Sequence, residues 1–503
     1  MIQYYTHVFK PFNNSCIVLV HATKVSSRFG RFSRGGTYQR FPGECSGDRP
    51  LDPAQALEDI RTCQDHDREL RASAIEDNII VNPNCPPRRI WDLWSNRVVP
   101  LWVTTPFQGE RSKTWFAVSH SWMSEDLRHT VETPINGFEW PVPIPTETTL
   151  ERVRVELLNY ASKLNVNLVW LDVLCLRQAG AQANEGLRIA EWRLDVPTIG
   201  EVYPEAYRTV YYYSGLGLPF EAKEFDSPRH WQNRAWTLQE TNPSRIVGGC
   251  SPLSPSMPGV GTRNLPVGEA IRPMYDKINV WESFSHVADS IFTVLEAMRH
   301  RSATNELDKV AGLNYYLAKF SPLPAYVVGD DPENAWNRIV KATHPMQRAD
   351  LFFLFPEPGN GKHVWCPSWQ QIKDAESLPK RRTLRKYVNL DEDCDSYSFS
   401  GYCLERCWLE GLSVIGDPGS VREGRISLVS TRGIIPVAAN HSIILEDGYY
   451  TLIGGDWIDQ WVLVRRTESG LYCKLSVIQI RGGDGSIRKM CSKGKGNTEM
   501  RLL

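Results

Sequence analysis

Between residues 114 and 249, four short apolar runs alternate with stretches of helical spacing. TWFAVSHSW (114–122), VNLVWLDV (166–173), RTVYYYSG (208–215) and RIVGG (245–249) are rich in β-branched and aromatic residues and bounded by polar sequence. Runs of that length and make-up read as buried strands. Between the first two, Leu150, Val153, Leu157, Ala161 and Leu164 fall on one helical stripe, with Thr148 or Thr149 available as N-cap. Between the next two, Ile189, Trp192, Val196, Ile199 and Tyr203 keep helical spacing across Pro197, which should kink or restart that helix. Asp226-Ser227-Pro228 supplies a cap followed by proline, predicting a helix through WQNRAWTLQE (231–240). Strands alternating with helices predict an α/β fold, a parallel sheet flanked by helices.

The flanks differ in character. Residues 1–90 form an irregular N-terminal arm rich in Arg, Gly, Ser and Pro, with one helix expected near Asp52–Ala72. RRIWDLWSNRVVPLW (88–102) is a strand-like entry to the α/β domain, which spans 91–250. SPLSPSMPGVGTRNLPVG (251–268) is a boundary loop, and 251–390 reads as a mainly helical extension, most clearly over 275–320. Residues 391–503 carry ISLVS, GYYTLIGG, WVLVRR and CKLSVIQI between turns, the pattern of a small β-rich C-terminal domain, and the last residues, KGKGNTEMRLL, read as a frayed tail. A length of 503 residues suits about three domains.

Charge narrows the partners. Lys and Arg total 57 and Asp and Glu 58, so no net field argues for nucleic acid or a membrane surface. No apolar run spans a bilayer; Cys16–Val20 is far too short, and MIQYYTHVFKPFNN has no signal-peptide core. A cytoplasmic protein is the expectation. Its twelve scattered cysteines suit reduced thiols, and Cys403 and Cys407 lack a second pair to complete a metal site, so no metal is expected.

In an open parallel sheet, ligands bind beyond the carboxyl ends of the strands. That rule selects Ser119, His120, Ser121 and Trp122 after the first strand, Asp172 with Cys175 and Gln178 after the second, and Ser214 to Gly217 after the third, with Glu191 and Arg193 on the following helix. Each has a plainer reading. Asp172 can cap the next turn or pair with Arg234. Cys175 between leucines is more often a packing residue than a nucleophile. Without a visible partner His120 is ordinarily structural, Glu191 and Arg193 fit a solvated helix face, and Arg234 with Glu240 fits an internal ion pair. GLGLPF (215–220) lacks the third glycine of a dinucleotide fingerprint, and GNGKH (359–363) lacks P-loop spacing.

FAVSHSW (116–122), LVWLDVLCLRQ (168–178), VPTIGEVYPEAYRTVYYYSGLG (196–217) and NRAWTLQE (233–240) occur in that order, followed by RSATNELDKVAGL (301–313) and WCPSW (365–369). Together they resemble the fungal heterokaryon-incompatibility (HET) domain, whose motifs run S-Y-x-W, W-[IL]-D-x-x-C-[IL]-x-Q, I-Y-x-x-A and R-[AG]-W-x-x-Q-E. The resemblance implies a TIR-like (Toll/interleukin-1-receptor-like) or flavodoxin-like parallel sheet serving self/non-self recognition and regulated cell death. It implies self-association and other incompatibility or signalling proteins as partners. TIR-like domains include enzymes that cleave NAD+ at the nicotinamide–ribose bond with a helix-borne Glu, and counting back from Val196 places that Glu at Glu191. NAD+ is then the substrate rather than a bound cofactor. Ser119, His120, Trp122, Asp172, Arg193 and Arg234 would contact it, and Cys175, Gln178, Tyr203, Trp236 and Glu240 would be structural. Here His120 replaces the usual Tyr, Asp195 the usual Gln, and Pro197 enters the helix. Two alternatives are a non-catalytic signalling and oligomerisation module of the same fold and a cysteine hydrolase using Cys175 with His120.

Overall fold

WFAVSH forms strand β3 (Trp115–His120), buried at every position, as a continuous apolar run covered on both faces should be. LVWL forms β4 (Leu168–Leu171) and TVYY forms β5 (Thr209–Tyr212). RIV forms β6 (Arg245–Val247). The entry segment is a hairpin of β1 (Arg89–Asp92) and β2 (Arg97–Pro100). These six strands make one sheet in the order β6-β5-β3-β4-β1-β2. The four predicted strands pair in parallel, whereas β1 runs antiparallel to β4 and to β2. The sheet is therefore mixed, because a tight turn at Trp94 to Asn96 returns the chain where a helical crossover would have kept it parallel.

This is a computed structural model, and it describes residues 53–104, 115–219, 227, 230–242, 244–249, 290–318, 322–380, 383–391, 395–414, 420–428, 434–455, 458–482, 485, 491 and 495–503. Cys16–Val20, Asp226, Pro228 and the 251–268 loop lie outside them, as does the start of the 275–320 stretch. The chain divides into two units, Met1–Arg68 with Trp102–Thr105, and Glu69–Leu101 with Pro106–Leu503. The expected N-terminal helix is α1 (Pro53–Ala72).

Helix α2 (Leu150–Leu164) joins β3 to β4, with Thr149 accepting from the Arg152 amide as N-cap. Leu150, Val153, Leu157 and Ala161 are buried against the sheet. Helices α3 (Glu185–Asp195) and α4 (Ile199–Glu205) replace one long helix, broken around Pro197. Val196, Ile199 and Tyr203 face inward, but Ile189 is exposed. The helix predicted over 231–240 is instead two 3-10 turns, Trp231–Asn233 and Trp236–Leu238. Its backbone is diverted: Ala235 donates to the Ser302 carbonyl, Ser302 donates to Asn233, and the Thr237 hydroxyl occupies the Trp231 and Arg234 carbonyls.

The extension holds α5 (Ile291–Arg299), α6 (Pro332–Ala342) and α7 (Pro345–Leu354). Eight strands follow: β7 (Val388–Asp391), β8 (Ser396–Glu410), β9 (Arg422–Leu428), β10 (Ile434–Ala439), β11 (Gly448–Gly454), β12 (Gln460–Arg466), β13 (Tyr472–Ile480) and β14 (Lys495–Leu502). They form one sheet. The supposed tail is β14, paired with β8 through Phe399↔Met500 and Tyr397↔Leu502. Met500 and Leu502 alternate inward, which fixes the strand's face. Extension and β-rich sheet share one core, in which Phe352, Phe353 and Trp365 pack with Phe399, Val462 and Met500.

Candidate functional site

The strand order reverses at β3: the chain passes by way of α2 to β4 on one side, then by way of α3 and α4 to β5 on the other. That reversal opens the place where ligands bind in sheets of this kind, and the ends of β3, β4 and β5 deliver polar side chains to it.

Asp172 sits on the one-turn helix after β4. Its Oδ1 lies 2.8 Å from His120 Nε2 and accepts from the Val173 amide at 2.7 Å, while Oδ2 accepts from Trp122 Nε1 at 2.8 Å. His120 Nδ1 faces the Ser121 carbonyl at 3.3 Å, so both ring nitrogens meet acceptors and the imidazolium fits. Burial alone would lower the His120 pKa, but the charge and hydrogen bond of Asp172 outweigh it and leave it raised. Burial likewise opposes ionisation of Asp172, yet His120 and the Trp122 and Val173 donors hold its carboxyl below the usual range. Asp172 thus pairs with His120 and not with Arg234.

A second knot adjoins the first. Ser119 Oγ donates to Glu240 Oε2 at 2.6 Å and accepts from Trp231 Nε1 at 2.6 Å. The Tyr203 hydroxyl also bonds Glu240. Burial pushes the Glu240 carboxyl up to about 7, with the Asp172 charge adding to the rise and the Ser119 and Tyr203 bonds opposing it. The Tyr211 hydroxyl of β5 donates to the Glu240 carbonyl at 3.1 Å, so strands β3 and β5, helix α4 and the 231–240 turns are tied together here.

The remaining expected residues sort by what they touch. Gln178 Nε2 donates to the Asp172 and Leu176 carbonyls, strapping the turn after β4. The Cys175 thiol points at the Val169 carbonyl, 3.8 Å away, and burial pushes its pKa up to about 12, the reverse of what a nucleophile needs. Trp236 packs on Tyr326, with ring centroids 6.3 Å apart, and donates to Asp308. Arg234 makes no ion pair among the described residues, and burial lowers its pKa although Asp308 and Glu240 oppose the effect. Its carbonyl accepts from Arg301 at 2.7 Å. Arg193 lies apart from the knots and donates to Asn78 Oδ1 at 2.7 Å.

Glu191 also belongs to a different cluster. Arg89 grips it with two bonds of 2.9 and 2.6 Å, Arg177 approaches at 3.3 Å and Arg88 at 3.8 Å. Arg88 in turn holds Asp195 through bonds of 2.8 and 3.1 Å, and Arg177 reaches Glu139 at 2.7 Å. The Trp140 ring lies beside both Arg89 and Arg177, 5.3 and 5.2 Å from their guanidinium carbons. Burial opposes ionisation of Glu191, but the Arg89 bond and the three guanidiniums hold its pKa below the usual value. The carboxylate is ionised and occupied, with a side chain only 15% exposed.

Several of these partners are absent from the sequence expectation. Trp231, Arg88, Arg89 and Arg177 are not singled out there, and the Arg88-Arg89 pair directly before an apolar run is the one available hint. Gly217 (φ +71 is found at Gly137, +68 here) follows a strand for a reason other than phosphate binding. A Cβ at Gly217 would lie 2.7 Å from Thr148 Oγ1 and 2.7 Å from Val153 Cγ2 on α2, so its left-handed turn needs glycine to pass that helix. Among the described residues no group of three or more His, Cys, Asp or Glu side chains is arranged to hold a metal, and no helix is long and apolar enough to cross a membrane. Comparison with protein-family models, curated proteins and solved structures gives no match.

Proposed function

We propose that the chain is a HET-type effector of fungal self/non-self recognition and regulated cell death, acting as a non-catalytic TIR-like signalling module that self-associates. One observation carries this reading: motif residues far apart in sequence meet in two adjoining hydrogen-bonded knots at the sheet's carboxyl edge. Ser119 and His120 come from the first motif, Asp172 from the second, Tyr203 from the third and Glu240 from the fourth. A motif set whose members satisfy one another is a device for holding a fold, and each polar side chain spent on a neighbour is withdrawn from a substrate.

A second reading, NAD+ cleavage by Glu191, is favoured by the guanidiniums of Arg88, Arg89 and Arg177 gathered around that carboxylate, the side-chain type suited to a pyrophosphate, although Arg88 and Arg177 are also paired with Asp195 and Glu139. For that chemistry the carboxylate would have to face a ribose carbon as positive charge builds there, and in the observed arrangement it faces arginines instead. The cysteine-hydrolase alternative is disfavoured by the burial of Cys175 and the engagement of His120 by Asp172.

Inducible expression in a filamentous fungus tests the proposal. Growth arrest by the wild type and equally by a folded Glu191→Gln variant is expected, together with assemblies larger than a monomer by light scattering. Normal growth on induction of the wild type overturns the effector role, and arrest abolished by Glu191→Gln overturns the non-catalytic one.

A further inference from the structure

The β-rich sheet holds a half-open cleft of about 390 Å³ that the reading above does not use. Its volume falls within the range of small-molecule sites. Four formally charged side chains line it: Glu405 on β8, Arg466 at the end of β12, and Glu499 and Arg501 on β14. Among the described residues, none of the four has an oppositely charged partner within 4.0 Å. Two acids and two guanidiniums around one cleft therefore present both signs of charge to whatever enters it, instead of cancelling in pairs as Arg425 and Glu410 do on the same sheet.

The walls are built rather than loose. The turn from Thr467 to Leu471 is closed by Thr467 N to Leu471 O at 2.8 Å, Gly470 N to Thr467 O at 3.0 Å and Leu471 N to Thr467 Oγ1 at 3.1 Å. Gly470 takes φ +86°, which a side chain would strain. The floor holds the buried Tyr472, whose ring lies 5.8 Å from the Arg466 guanidinium carbon and whose hydroxyl lies 3.7 Å from Cys403 Sγ. This aromatic contact orients the Arg466 guanidinium, a fork suited to a carboxylate.

We propose that this cleft binds a small zwitterion of the amino-acid type, its carboxylate taken by Arg466 and Arg501 and its ammonium by Glu405 and Glu499. A carboxylate alone would leave the two acids opposing it, and an ammonium alone would meet the two guanidiniums. Only a ligand with both poles satisfies all four groups. The proposal is independent of the cell-death reading and stands or falls apart from it.

Titration calorimetry on the full chain tests it, with L-leucine as the probe and N-acetyl-L-leucine and L-leucinamide as single-pole controls. Saturable binding of L-leucine is expected, with each control at least about tenfold weaker, the factor that 1.4 kcal/mol represents. Arg466→Gln and Glu405→Gln should each weaken L-leucine binding by a similar factor while leaving the melting temperature unchanged, since both side chains are exposed. Binding of N-acetyl-L-leucine as tight as that of L-leucine overturns the two-pole assignment. No saturable binding of any of the three at millimolar concentration overturns the site and leaves four solvated charges.

Discussion

The carboxyl of Glu240 offers the sharpest handle on the strand-edge knots. Its pKa stands at about 7 against an ordinary 4.5, because it is buried beside the ionised Asp172. Between those two values the folded chain holds a proton that the unfolded chain has released, so stability falls as pH rises across the interval. One proton over that interval is worth about 3 kcal/mol. His120 works in the same direction: its raised folded pKa gives a contribution that is complete below about 6.5 and lost as pH rises through the folded value. Asp172, with a lowered pKa, loses its contribution only as pH falls below its usual range, outside this window. Glu240→Gln removes the ionisation while keeping a carbonyl to accept from Ser119 and Tyr203. Urea unfolding at several pH values from about 5 to 8 should show the wild type losing about 3 kcal/mol more than the variant across the range. Parallel pH profiles for the two proteins would refute the claim that this carboxyl is buried in a charged knot.

Three further outcomes follow from specific contacts. Glu191→Ala strands the Arg89 guanidinium without its carboxylate, while Arg177 keeps Glu139, and urea titration should show a loss of about 3 kcal/mol. Cys175, buried and with its pKa near 12, should resist iodoacetamide at neutral pH in the native protein and react once the chain is unfolded in urea, as peptide mass mapping would show. Gly200→Ala places a Cβ 2.4 Å from the Tyr315 ring, and the melting curve should shift down by the equivalent of about 1–3 kcal/mol.

What the sequence reveals and conceals here follows from the range of the forces involved. The strands from Trp115 to Val247 and the Thr149-capped helix are legible because their burial pattern and capping are local. The antiparallel addition of Arg89–Asp92 to β4 is not, since nothing local fixes the neighbour of an edge hairpin. Nor is the conversion of WQNRAWTLQE into two short turns, which depends on Ser302 about seventy residues away. The edge rule for parallel sheets selects Ser119, His120, Trp122 and Asp172, and the structure hydrogen-bonds His120 and Trp122 to Asp172 and Ser119 to Glu240. It does not reveal that they would pair with one another and with Glu240. Glu191 illustrates the limit most clearly. Its position on the helix was legible, but its three arginine partners come from β1, the residue before it and the turn after β4.

The most direct test of the account is nicotinamide release from NAD+ by the purified full chain, concentrated or artificially clustered. Release no faster than in protein-free buffer is expected, because Glu191, the carboxylate that the HET resemblance would assign to that chemistry, is held by Arg89, Arg177 and Arg88. Release well above buffer that disappears in a folded Glu191→Gln variant would contradict it and make the arginine cluster part of a substrate site.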